Sequence, residues 1–274
     1  MGLQPVAMGS PAPHRGGMDA AISLTGVSKR YGDGKPALSD VSLTVAAREF
    51  LAVVGGSGSG KTTLLRLINR LSDPSDGAIR VRGADVQTLD PITLRRGIGY
   101  VFQGIGLFPH LTVAENIAIT PRLLGWDSAR QQARATELLR LVRLEANYAT
   151  RFPHELSGGE RQRVGVARAL AARPDIVLMD EPFGALDPLT RDALGQDYRR
   201  MHEELGLTSV MITHDMLEAL LFADRIVVLQ QGQLIADGTP AALITHQHPY
   251  VRELMATPRR QAERLGAFLS GPSH

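Results

Sequence analysis

The reading turns on Phe50-Leu51-Ala52-Val53-Val54 and the segment that follows it, Gly55-Gly56-Ser57-Gly58-Ser59-Gly60-Lys61-Thr62-Thr63. The first five residues are a short unbroken apolar run, the pattern of a parallel strand buried on both faces. The next eight match the phosphate-binding loop GxxxxGK[ST] in its required setting between a buried strand and a helix. Glycines let the backbone curl so that successive N–H groups point inward, and the following helix adds the positive end of its dipole. In that cradle Lys61 reaches the β and γ phosphates of a triphosphate and Thr62 offers its hydroxyl to Mg2+. A flexible Gly/Ser linker shares the composition but is not framed by a buried strand and a helix.

Outward from this loop, ISLTGVSKRY and VSLTV alternate apolar and polar residues and read as antiparallel strands with one exposed face. Further strands are expected at AIRVRG, IGYVF, DIVLMD, TSVMIT and RIVVLQ, with QQGQ as a hairpin turn into QLIAD. Helices are expected over 61–71, 128–143, 158–172, 190–205, 215–222 and 240–245; in 128–143, Ala135, Leu138, Leu139 and Val142 recur at helical spacing. Strands alternating with such helices imply a doubly wound, mainly parallel α/β core. The strand signal vanishes between Gly104 and about Leu156, where a helical subdomain is expected. The opening 19 residues read as a disordered leader, with Met18 an alternative start, and 246–274 as a short extension, helical or frayed.

Composition narrows the function. The chain has 274 residues, 43% of them hydrophobic and none cysteine. It is long enough to bury a core without a staple, and disulfide frameworks, CxxC pairs and cysteine-ligated metals are excluded. Lys+Arg number 30 against 28 Asp+Glu, a net charge of +2, with no run of five like charges, so nucleic acid is not an expected partner. No stretch approaches the roughly 18 apolar residues of a membrane helix, and MGLQPVAMGSPAPHRGGM has Pro and Gly where a signal peptide has its apolar centre. A cytosolic chain is expected.

Two further segments carry chemistry. Ile176-Val177-Leu178-Met179-Asp180-Glu181 is an apolar strand ending in two acids, a pattern shared by strands that merely exit to solvent. Beside the phosphate-loop strand, such acids stand at the mouth of the sheet, where ligands bind. There Asp180 holds the Mg2+ shell and Glu181 orients and deprotonates the attacking water. Leu156-Ser157-Gly158-Gly159-Glu160 opens an Ala-rich helix, RQRVGVARAL. It reads as an ordinary N-cap or as a second anion site.

The phosphate loop, LSGGE and IVLMDEP in this order resemble the ATP-binding cassette (ABC) ATPases, over about residues 20 to 245. The resemblance implies a phosphate-loop α/β core with an antiparallel β subdomain and an inserted helical subdomain, about 104–156 plus the signature helix to about 172. It implies that Tyr31 stacks on adenine, although a lone Tyr after a strand is also an ordinary edge residue. It implies that Gln103 touches Mg2+ and the attacking water, that Ala185-Leu186-Asp187 crosses a dimer interface, and that His214 contacts the γ phosphate. Two copies then pack head to tail, with Ser157, Gly158, Gly159 and Glu160 of one closing over the ATP held by Lys61 of the other. Glu160 stands where Gln is commonest, and Gly56 where many importers carry proline.

A single free cassette resembles the ATPase subunit of a bacterial importer. Separate permease subunits, a solute-binding protein and a peripheral place at the cytoplasmic membrane face are implied. Leu107-Phe108-Pro109-His110 is similar to importers for sugars, sulfate and polyamines. Ile105-Gly106, PRLLGWD and EPFGALDPLTRD are similar to the ATPases of glycine betaine, choline and carnitine importers. Neither the CBS pair that many of the latter continue into nor the small β-barrel of the sugar type is expected from this sequence. A quaternary-amine osmoprotectant is the expected solute; an amino acid or polyamine importer, or a cassette outside transport, are the alternatives.

Overall fold

The structure is a computed structural model that describes residues 20–32, 34–104 and 106–269, with side chains except at 261 and 264–269. The expected leader and Ile105 lie outside the described residues. The chain opens with two antiparallel strands, β1 (Ala20–Lys29) and β2 (Leu38–Ala46), followed by β3 (Phe50–Val54) and, after the glycine loop, α1 (Lys61–Ile68). Then come β4 (Asp76–Val81), β5 (Ala84–Asp85), α2 (Pro91–Arg96) and β6 (Ile98–Val101). Three helices follow before the next strand: α3 (Val113–Leu123), α4 (Ser128–Leu141) and α5 (Gly158–Leu170). The last part alternates β7 (Ile176–Asp180), α6 (Pro188–Leu205), β8 (Thr208–Thr213), α7 (Met216–Phe222), β9 (Arg225–Gln230), β10 (Gln233–Gly238), α8 (Pro240–Ile244) and α9 (Pro249–Leu269).

Two sheets result. One is four-stranded and antiparallel, in the order β2-β1-β4-β5; the other has six strands in the order β10-β9-β3-β8-β7-β6, parallel except for the β9–β10 hairpin. The run FLAVV lacks alternation because β3 sits inside the larger sheet with both faces covered. Phe50, Ala52 and Val54 face a core shared with α3 to α7, whereas Leu51 and Val53 face a second core shared with α1 and the antiparallel sheet. All five are buried. The α/β class and the division into parallel and antiparallel sheets agree with the sequence reading.

Two helices, α2 and α3, are missing from the expected ranges, and α9 is longer than expected. The segment Val113–Leu123 is helical, and its signal was present as a capping box: Thr112 Oγ1 accepts from Glu115 N, while Glu115 Oε2 accepts from Thr112 N at 2.7 Å. The segment expected to be a short extension, helical or frayed, holds α9, a 21-residue helix that packs on α7 and α8. Val251 is fully buried, and Tyr250, Leu254 and Met255 pack against the larger core.

Candidate nucleotide-binding site

The glycine loop leaves β3 beneath its neighbours. A Cβ on Gly55 would collide with Leu229 O of β9, and one on Gly60 (φ +103) with Ala37 O, so both positions admit only glycine without rearrangement. Gly60 caps α1, which begins at Lys61. Lys61 is buried, and its Nζ donates to Gly55 O at 2.8 Å and Gly56 O at 3.0 Å. Burial lowers its pKa, while the charges of Glu181 and Asp180 oppose that shift and favour the ammonium. Ser59 Oγ, also buried, has no hydrogen-bond partner among the described residues.

Three adjacent parallel strands each deliver a polar group at their C-terminal ends, the edge where open α/β sheets bind ligands. Asp180 ends β7, and its Oδ1 accepts from Thr62 Oγ1 at 3.4 Å. Burial is the first cause that raises the Asp180 carboxyl; Glu181 adds to it, and the Thr62 hydrogen bond and nearby cations act against it. Glu181 follows with φ +46, a left-handed conformation that costs a non-glycine residue energy and is common at functional sites. Its N–H donates to Ile212 O at 3.0 Å, which ties the turn to β8. Glu181 Oε2 accepts from Gln103 Nε2 at 3.1 Å, just past β6, and lies 3.3 Å from Nδ1 of His214, just past β8.

Gln103, Glu181 and His214 share one cleft of ≈ 570 Å³ with Tyr31, Ala37 and Ser57 to Thr63, and Asp180 stands behind Thr62 of its wall. Tyr31 is half exposed at its rim, with Lys29 Nζ 5.0 Å from its ring centroid. Gly55 and Gly56 do not line the cleft: they lie behind it, their carbonyls turned to Lys61. The fit to Mg2+ is testable on the donor set. Among the described residues no group of three or more His, Cys, Asp or Glu could hold a metal ion. Thr62 and Asp180 supply hard oxygens, as Mg2+ requires, in a number that leaves the rest of its shell to phosphate oxygens and water. The residues present therefore fit a nucleotide-borne Mg2+.

A match to the ABC transporter family model covers residues 38–184, from β2 through the acids at the end of β7. The chain belongs to the ABC transporter family. Among its curated ABC relatives are the choline transport ATP-binding protein OpuBA and the glycine betaine/carnitine/choline transport ATP-binding protein OpuCA of Bacillus subtilis. They are 51% and 48% identical over 80% and 87% of this chain. The chain spans 58% and 63% of the length of those two proteins. The glycine betaine uptake system ATP-binding protein YehX of Escherichia coli is 48% identical over 85% of this chain and 75% of its own length. A solved ABC dimer in a post-hydrolysis state with ADP and Pi superposes with a TM-score of 0.73 at 36% identity, covering 80% of this chain and 98% of that one.

The ABC signature segment stands apart from the cleft. Ser157 caps α5: its Oγ accepts from Glu160 N at 3.3 Å, and Glu160 Oε2 accepts from Ser157 N at 2.7 Å. Tyr148 OH donates to the other Glu160 oxygen, and this bond is the first cause that holds the Glu160 carboxyl below its usual range. Asp187 caps α6 by accepting from Thr190 N at 3.0 Å. Neither Ser157, Gly158, Gly159 and Glu160 nor Asp187 lines the cleft around Lys61. A second cavity, ≈ 490 Å³ and mostly apolar, lies beyond Gln103, with Tyr100, Phe102, Phe108, Ile119 and Arg168 in its wall. Gln103 lines both.

Sequence reasoning missed two residues. Tyr250 of α9 accepts a hydrogen bond from Gly56 N at 2.8 Å, and Arg191 of α6 bridges the segment before Asp187 to the segment carrying His214. No motif marks Tyr250, whose partner lies far back in the chain, and the segment EPFGALDPLTRD that contains Arg191 does not show what the arginine bridges. The only signal was a buried-looking Tyr in HPYV and an Arg four residues past Asp187.

Proposed function

We propose that this chain is the ATP-binding and hydrolysing subunit of a bacterial importer, and that the imported solute is a quaternary-amine osmoprotectant of the glycine betaine, choline and carnitine kind. The observation that carries the first half is the convergence of Lys61, Thr62 with Asp180, Gln103, Glu181 and His214 on one cleft. The second half rests on the names of the relatives.

In this reading the loop N–H groups, Ser59 Oγ and Lys61 hold the phosphates, and Tyr31 receives the base. Thr62 and Asp180 hold Mg2+, which when bound neutralises phosphate charge as it builds in phosphoryl transfer. Glu181 accepts the proton of the attacking water. His214 and Gln103 fix the carboxylate from two sides, so the base is oriented before substrate arrives. Ser157 to Glu160 and Asp187 serve the nucleotide of a second copy packed head to tail, which accounts for their distance from the cleft of their own chain.

The apolar cavity beyond Gln103 supports a permease contact, because exposed Phe102 and Phe108 form the kind of patch that meets a partner. Among the described residues no helix is long and apolar enough to cross a membrane. In the proposed assembly the subunit sits peripherally on the cytoplasmic face, with a solute-binding protein feeding the permease from the other side. The domain limits of 20–245 for the cassette and 246–274 for an extension belong to this proposal.

The test has two arms. Lys61→Ala should abolish nucleotide binding or turnover in the purified chain; undiminished hydrolysis would remove the ATPase reading. Cells lacking the operon should lose uptake of labelled betaine, choline or carnitine. If they lose polyamine or amino-acid uptake instead, the solute assignment fails while the importer ATPase stands.

A further inference from the structure

The start of α9 lies on the back of the phosphate loop. Tyr250 packs its ring against the larger core with Leu254 and Met255, and its hydroxyl accepts a 2.8 Å hydrogen bond from Gly56 N. Gly56 does not line the nucleotide cleft, which begins at Ser57, so this N–H serves the protein rather than phosphate. The carbonyl of the same residue accepts from Lys61 Nζ at 3.0 Å. Two hydrogen bonds thus run from the C-terminal helix through one glycine to the ammonium at the cleft.

From this geometry we propose that Tyr250 is a positioning residue of the nucleotide site: it fixes the first turn of the phosphate loop, and through Gly56 it fixes where Lys61 stands. The need is physical. A loop with four glycines in six residues, Gly55 to Gly60, has wide backbone freedom, and ordering it on ligand binding costs conformational entropy. A hydroxyl anchored in a packed core removes part of that cost in advance, as preorganisation does generally. The bond also depends on residue 56 having an N–H, which proline lacks. Gly56 and Tyr250 therefore work as a pair at a sequence separation of 194.

This inference rests on the loop holding nucleotide, and the experiment separates the two. The full chain is titrated with a fluorescent ATP analogue and Mg2+, and hydrolysis is followed against ATP concentration. Tyr250→Phe keeps the ring and deletes only the hydroxyl. It should weaken binding about fivefold, the effect of one lost neutral hydrogen bond. KM should rise by a similar factor, with kcat within about twofold, because the bond is present before and during the reaction. Gly56→Pro removes the donor, and Tyr250→Phe added to it should then change nothing further. Binding by Tyr250→Phe equal to the parent, or a full fivefold loss on top of Gly56→Pro, would overturn the proposal; if Gly56→Pro does not fold, the Phe variant alone decides. A parent chain that binds no nucleotide would remove the nucleotide reading itself, whereas tight parental binding beside an unaffected Phe variant removes only Tyr250.

Discussion

Replacing Arg191 by Leu should cost about 3 kcal/mol of stability, and about a third of that cost should be traceable to Glu218. Arg191 Nη2 donates to Leu186 O at 3.0 Å and Nη1 to Asp215 Oδ2 at 3.2 Å; Nε lies 3.7 Å from Glu218 Oε1. The two hydrogen bonds account for roughly 1 to 1.5 kcal/mol each. The Glu218 contribution follows from burial: its side chain is 5% exposed against 29% for Arg191, and Thr213 Oγ1 donates to its other oxygen at 2.6 Å. At an effective dielectric of about 20 the pair attraction has an upper bound near ~4 kcal/mol. Solvent at the arginine end and the protonation open to Glu218 reduce that to about 1 kcal/mol or less. For a chain of this size the total corresponds to a fall in Tm of about 6 to 12 °C.

Glu218→Gln keeps an acceptor for Thr213 and removes the charge. Burial, then the Asp215 charge, raises the Glu218 pKa, so the folded chain holds this proton more tightly than the unfolded one. Its contribution is present below the ordinary carboxylate range and is lost as pH rises through the elevated value. The Gln variant should therefore gain on the parent between pH 5 and pH 7.5. In the double variant at least about a third of the Arg191→Leu loss should return, as coupling between contacting residues requires. Thermal and urea melts of the four proteins read this directly. Strict additivity, or an Arg191→Leu cost under about 1 kcal/mol, would refute the reasoning.

Glu181→Gln should retain ATP binding while hydrolysis falls by roughly 10²-fold or more; near-normal turnover would mean that another group is the base. Ser157→Arg should bind ATP yet not hydrolyse it, and mixing it with Lys61→Ala should restore part of the activity through heterodimers with one intact site. No recovery on mixing would count against composite sites that turn over independently. His202 is buried and accepts or donates at Ser209 Oγ, 3.0 Å away, and burial, then Arg199, holds its pKa below 6.5. The unfolded chain thus takes up this proton first, and stability should drop as pH falls through 6.5; His202→Gln should flatten that slope in melts at pH 7.5 and 5.5. Phe108→Ala should leave hydrolysis by the isolated subunit near normal but reduce permease-stimulated hydrolysis and transport, and equal loss in both assays would place Phe108 in the folding core instead.

The parallel core was legible because burial on both faces writes itself into FLAVV and IVLMD as unbroken apolar runs, and a glycine loop ending in Lys-Thr between such a strand and a helix is built for phosphate. The left-handed turn at Glu181 was not legible, since nothing in DEPFG states a dihedral angle. The helix at Val113–Leu123 was written in Thr112 and Glu115, but Pro121 inside it reads as a breaker. The length of α9 escaped because Pro258 reads as a breaker; helical Pro is tolerated here in a helix packed on α7 and α8. Tyr250 and Arg191 were invisible for a different reason: their partners lie at the far end of the chain or in another loop, and only the folded sheet brings them within reach.

The position of Gln103 has a pharmacological corollary. One side chain separates an apolar cavity from the place where the phosphates would lie, so a small hydrophobic compound lodged in that cavity need not resemble a nucleotide to influence the reaction. By pressing on Gln103 it would disturb the amide that steadies Glu181, while the phosphate cradle and the edge at Tyr31 stayed open. Its inhibition would then persist at saturating ATP, a kinetic pattern unlike that of compounds competing for the glycine loop.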